Sequence, residues 1–295
     1  MDKNCDWLQY EKKAAGVCVT GCISELEYVQ IPSALEGLPV VEIGDYAFSR
    51  GKVKEIVLPA GLRKIGRYAF YNCESLEELS LFDNLRDIGS GAFNGCHHVR
   101  RIQLEMTGGE RSVMQELLTE FTETLEVWCR SAEGTAHLFF PEYYEQGVEN
   151  TPARIIENHT FGSGLKYRNC FVNRQLQYHE YDRMFPYAEA CENETLLIDL
   201  VLARLLHPFR LSGEARQKYE SFLAKTGQAV FRRLIDEKNL EGISYLTDRQ
   251  LMEENEIKAA AVYASEKEYP RAVGILMRAG RPGRGNRLDF DLTEL

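Results

Sequence analysis

Three six-residue phrases, IGDYAF at 43–48, IGRYAF at 65–70 and IGSGAF at 88–93, recur at intervals of 22 and then 23 residues. A unit this short cannot bury an apolar side of its own, so the recurrence restricts the chain to stacked coils that bury that side against each other. Further positions fall into the same register. Val40, Leu62 and Leu85 precede the phrases, and Cys73 and Cys96 follow the second and third. VKEIVL (53–58), LEELSL (76–81) and VRRIQL (99–104) then close each unit. The Ile, Ala and Phe are expected to fill repeated layers of one core. The Gly is expected to allow a turn that a side chain would obstruct.

The closing hexapeptides alternate in strand fashion. Their apolar residues are expected inward, and Glu55, Val57, Glu78, Ser80, Arg101 and Gln103 outward. Parallel strands stacked in register present such positions as columns, the usual binding surface of a solenoid, so these six residues are the first candidate site. The I-G-x-x-A-F-x-x-C pattern with its L-x-x-L-x-L partner resembles the BspA-type (Treponema pallidum-type) bacterial leucine-rich repeat over about residues 24–105. The resemblance implies a right-handed solenoid with a concave strand face used for protein binding. Many members are surface proteins, often adhesins. Residues 6–31 are expected to cap the first coil. A helix is expected within 108–124, and TLEVWC (124–129) as the last strand of the sheet.

Beyond the repeats the pattern changes. AHLFFP (136–141) is expected as a short strand. From 139 to 187 aromatic residues are interleaved with Arg154, His159, Lys166 and Arg168, the second candidate site, for a ligand or an enzymatic centre. FGSGLKYR (161–168) lacks the G-x-x-x-x-G-K-[ST] spacing of a phosphate loop, so a tight turn is expected there. Cys170 with His159 or His179 has no local signature of a thiol nucleophile. Cys18-x-x-x-Cys22 lacks the second pair a zinc site needs. No catalytic residue, metal or cofactor is assigned.

The C-terminal part is helical by pattern. ENETLLIDLVLARLLHPF (192–209) has a wide apolar side and is stopped by Pro208. AVFRRLIDEKNLEGISYL (229–246) and AAVYASEKEYPRAVGILM (260–277) look alike, with Glu237-Lys238 matching Glu266-Lys267 at 29 residues and Leu246 matching Leu276 at 30. This run loosely resembles a degenerate ankyrin pair. The expected fold class is therefore α+β. Residues 1–130 form a capped leucine-rich-repeat solenoid, 131–190 a mixed aromatic-rich connecting block, 191–280 a helical ankyrin-like domain and 281–295 a tail.

A formal net charge of −10 argues against non-specific binding to nucleic acid or anionic lipid. No run of 18 apolar residues suggests a membrane span, and the charged first residues are unlike a signal peptide, so a cytoplasmic location is expected. The expected role is non-enzymatic, with another protein as partner and homo-oligomerisation through an uncapped solenoid edge as a further expectation.

Overall fold

The computed structural model describes residues 7–23, 26–108, 112–150 and 155–280, with side chains at 148–150 and 155–158 left aside. The chain divides into two compact units, 1–212 and 213–295.

The first unit opens with β1 (Leu8–Lys13), β2 (Gly16–Cys22), β3 (Tyr28–Gln30), β4 (Ala34–Leu35) and β5 (Leu38–Ile43). It continues through β6 (Glu55–Val57), β7 (Lys64–Ile65), β8 (Glu78–Phe82), β9 (Asp87–Ile88) and β10 (Arg101–Glu105). Helix α1 (Met114–Thr119) then leads to β11 (Leu125–Ser131) and β12 (Gly134–Phe140). These strands make a β-solenoid of about five turns. Its large sheet runs β12-β11-β10-β8-β6-β3, parallel throughout except for β12, which is antiparallel to β11. The small sheet runs β1-β2-β5-β7-β9, parallel except for β1, with β4 paired antiparallel to β5 off this path. Each sheet is thus closed at one end by a reversed strand.

Three expectations are corrected here. The sheet does not end at 124–129, because β12 pairs along its whole length with β11. The helix expected within 108–124 is confined among the described residues to six positions, and Phe121 lies beyond it. Phe121 instead completes a ring column, Phe48–Phe70–Phe93–Phe121, with centroids 5.1–5.3 Å apart. Finally, the glycine of the phrase is needed for close approach rather than for a turn. A Cβ on Gly66 would stand 2.5 Å from the backbone N of Asp45, and one on Gly89 2.5 Å from that of Arg67.

The left-handed positions are different ones. They fall at Tyr46, Tyr68 and Gly91 (φ 59°, 53°, 64°) and again at Arg50, Asn72 and Gly95 (φ 58°, 53°, 83°). Only the third copy places glycine, the residue without strain there, at both. Coils are tied by backbone bonds such as Gly66 N–H to Ile43 O and Phe48 N–H to Ala69 O, both 2.7 Å. The inward cysteines behave as expected. They are buried, and the Cys73 and Cys96 thiols donate to the Phe48 and Phe70 carbonyls of the preceding coil at 2.9 and 3.0 Å.

The unit continues through a hairpin, β13 (Tyr144–Asn150) and β14 (Ile155–Phe161), then α2 (Gly164–Arg168) and the short pair β15 (Phe171–Val172) and β16 (Gln175–Leu176). Helices α3 (Tyr178–Arg183), α4 (Phe185–Cys191) and α5 (Glu194–Leu206) complete it. The segment 131–190 therefore does not fold apart, and α5 belongs with it in the first unit. The edge of β12 is closed by Tyr181, whose hydroxyl donates to Phe139 O (2.6 Å) and accepts from Phe139 N–H (3.0 Å). Asp182 and Arg204 form a bidentate ion pair at 2.8 and 3.0 Å, with the Arg204 side chain fully buried.

The second unit contains α6 (Gly213–Thr226), α7 (Gln228–Asp236), α8 (Leu240–Asp248), α9 (Glu254–Glu266) and α10 (Pro270–Ala279). Two helix pairs, α7–α8 and α9–α10, share one turn. Lys238 and Glu268 take φ 54° and 53°, and Asn239 N–H bonds Leu234 O as Tyr269 N–H bonds Ala264 O. The structural offset is 30 residues. Glu237 therefore corresponds to Lys267 and Lys238 to Glu268, and the dipeptide match at 29 residues is off register by one.

Candidate functional site on the large sheet

Along each strand of the large sheet every second residue is buried. Ile56, Leu79, Ile102, Val127 and Leu138 are at most 1% exposed. Their neighbours therefore face away from the core, as the alternation requires. The register makes these neighbours into columns. Glu55 pairs with Glu78, Glu78 with Arg101, Arg101 with Glu126 and Glu126 with Phe139. The adjacent column is Val57, Ser80, Gln103, Trp128 and His137. The six candidates of the strand face are thus brought together in two columns. Each column extends by residues the sequence reading left out: Tyr28 beside Glu55 at one end, Glu126, Trp128, His137 and Phe139 at the other.

The added residues hold the densest chemistry of the face. Glu126 accepts from the Arg101 guanidinium at 2.8 Å and the Trp128 indole N–H at 2.9 Å, and bonds His137 Nε2 at 3.0 Å. Burial pushes the Glu126 carboxyl up, but the bonds from His137, Trp128 and Arg101 outweigh it and hold the group down to about 2. Arg101 also reaches Glu78 at 3.2 Å, so its charge is shared between two carboxylates rather than free. Trp128 stacks on His137 at 3.8 Å between centroids, and His207 meets the Trp128 ring edge-on at 4.8 Å. Trp128, His137, Phe139 and His207 are all half-buried, leaving part of each ring to solvent. Half-exposed aromatic groups held rigid by hydrogen bonds are the kind of anchor that protein interfaces concentrate. A signal for β11 was present in the sequence, since Leu125-Glu-Val-Trp-Cys129 alternates like its predecessors. The spacing from Ile102 to Val127 is 25 residues rather than 23, and α1 fills the difference.

The second candidate set is not brought together. Arg154 lies outside the described residues. His159 stands exposed on β14, and Lys166 is exposed with its ammonium 4.3 Å over the Tyr187 ring. Arg168 is 2% exposed and spends its guanidinium on the carbonyls of Leu118, Pro141, Gly164 and Glu123. Burial pushes it down to about 10. It is a clamp between segments, not a ligand for substrate. The glycine turn offers no anion cradle either, since Ser163 N–H and hydroxyl both go to Glu192 at 2.8 and 2.7 Å. Cys170 is buried, donates to Lys166 O, and is pushed up to about 11 by that burial, the opposite of an activated thiol.

Comparison with known proteins agrees with the coil geometry. Residues 18–117 match the model of the BspA type leucine rich repeat region, in six copies. A leucine-rich repeat protein from Bacteroides capillosus is 26% identical over 35% of this chain and 84% of its own, with a TM-score of 0.31. One from Bacteroides ovatus is 33% identical over 36% of this chain and 31% of its own, with a TM-score of 0.30. A leucine rich cell surface protein from Faecalibacterium prausnitzii is 18% identical over 45% of this chain and 43% of its own, with a TM-score of 0.30. No curated protein matches the chain. Residues 18–117 are thus similar to the BspA-type leucine-rich repeat region.

Proposed function

We propose that this protein is a non-enzymatic interaction module that binds another protein through the outward face of its large sheet. The observation that carries this reading is the Glu126 cluster. Arg101, Trp128 and His137 are fixed on one carboxylate in register with the Glu55–Glu78 column. A surface ion ladder alone contributes little to affinity. Aromatic rings already immobilised beside it contribute much more, because little side-chain freedom remains to be lost on binding. Supporting the non-catalytic reading, the repeats belong to a scaffold type, and the Cys170 thiol and Arg168 are both engaged with backbone carbonyls. The helix pairs of the second unit, which loosely resemble ankyrin pairs, are a secondary binding surface in this reading.

The test is affinity capture from the source cell with the full chain, comparing the natural sequence with Trp128→Ala and with the double reversal Glu78→Arg, Arg101→Glu. A partner recovered by the natural chain should be lost with both variants. Retention by both would remove the outward face from the proposal.

A further inference from the structure

A cavity of about 620 Å³ lies within the first unit where the strands of the large sheet end. Its wall includes Asp83 after β8, Met106 after β10, Met114 of α1, Tyr178 of α3, and Phe209. That volume is in the range of small-molecule sites.

Two polar atoms in this wall, Asp83 Oδ2 and the Tyr178 hydroxyl oxygen, have no hydrogen bond to a described residue. Asp83 is 1% exposed, and its Oδ1 accepts from the Thr107 N–H at 2.8 Å and the Thr107 hydroxyl at 2.6 Å. Among the described residues nothing donates to its Oδ2. The Tyr178 hydroxyl has no hydrogen bond to any described residue, and burial pushes its ionisation well up. The cations of the wall are already occupied. Arg210 pairs with Glu133 at 2.9 Å, and His179 stands 3.7 Å from Glu180. Neither atom is sealed from solvent, so both are open to an occupant of the cavity, and an occupant that brings a charged donor to the Asp83 carboxylate gains a charge-assisted bond.

We propose that this cavity binds a small organic cation, an ammonium or guanidinium on a hydrocarbon body. Its N–H groups go to Asp83 Oδ2. Its body lies against Met106, Met114 and the Phe209 and Tyr178 rings, whose cation-binding faces already carry Arg210 and Arg204 at 5.1 and 5.7 Å. Such a group can come from a free amine or from a basic side chain of a bound protein, and the recognising chemistry is the same. The proposal is independent of the outward face, whose residues do not line the cavity.

The experiment is calorimetric titration of the full chain with benzylammonium, with neutral benzyl alcohol, and with Nα-acetyl-lysine methylamide as the side-chain source. Benzylammonium is expected to bind at least about tenfold more tightly than the alcohol, since a charge-assisted bond is the stronger kind. Tighter binding by the lysine derivative assigns the source to a protein side chain, and tighter binding by benzylammonium to a free amine. Asp83→Asn is expected to weaken benzylammonium about tenfold. Ala132→Trp obstructs the mouth from an exposed position and should abolish binding while leaving the melting temperature unchanged, so it decides the matter even if Asp83→Asn fails to fold. Arg111, outside the described residues and directly before Ser112 of the wall, is replaced by Gln as a further arm. Binding seen only in Arg111→Gln would make the cavity a seat for the chain's own arginine and overturn the proposal. Equal binding of amine and alcohol, indifference to Ala132→Trp, or no binding by the natural chain would overturn it as well.

Discussion

The repeat coils and the block that follows them, 112–212, are held together in different ways. In the coils one side chain does the same task several times, as in the Phe48–Phe70–Phe93 column and the thiols donated to carbonyls one coil back. In the following block single residues make unique, long-range attachments. Arg168 gathers four carbonyls, Tyr181 closes the edge of β12, and Arg204 holds Asp182. Damage to a coil is therefore shared by its neighbours, whereas damage to the block has no duplicate.

The sharpest break of this contrast is Arg204→Ala. It leaves Asp182 buried without its cation and should cost about 3–5 kcal/mol in denaturant unfolding of the full chain. Phe70→Ala, in the middle of the ring column, should cost a similar about 3–5 kcal/mol, the cavity being lined by rings on both sides. Equal losses with different cooperativity would sharpen the comparison. The coil variant should keep one transition, while the Arg204 variant should separate loss of the block from loss of the solenoid. Tyr181→Phe, which orphans both polar groups of Phe139, should cost about 1–3 kcal/mol.

The acid limb of stability gives a third test. Glu126 is held at about 2 in the folded protein, below the ordinary 4.5. A depressed carboxyl contributes stability that is present above the ordinary value and is lost as pH falls toward 2. Glu126→Gln should flatten the stability profile in that window and leave its slope above pH 4.5 unaltered. The smallest effect is expected at Arg50→Gly, a left-handed position in an exposed part of the first coil. It should be neutral to stabilising by about 1 kcal/mol, in contrast to the loss expected from Gly91→Ala.

The same contrast explains what was legible beforehand. The α+β class, the stacked coils and the outward set from Glu55 to Gln103 followed from a period that repeats. The role of Gly66 and Gly89 was misassigned because a glycine's need for close approach depends on the neighbouring coil, which lies 22 or 23 residues away in the sequence. Glu126, Trp128 and His137 were missed because α1 lengthens one coil and β12 runs backwards, so neither carries the period. In the block after the repeats, Arg168 looked like a ligand because nothing local shows that three carbonyls from distant segments, besides that of Gly164 in its own helix, surround it.

Whether the outward sheet face or the helical unit meets the partner is decided most directly by photo-crosslinking. A photoreactive amino acid is placed at Gln103, between Ser80 and Trp128 in the second column, or at Val262, an exposed apolar residue of α9. Each full-length chain is then irradiated in the source cell. The proposed interaction predicts a discrete crosslinked product from Gln103, removed by Trp128→Ala, whether or not Val262 of the secondary surface also gives one. A product from Val262 with none from Gln103 would contradict it.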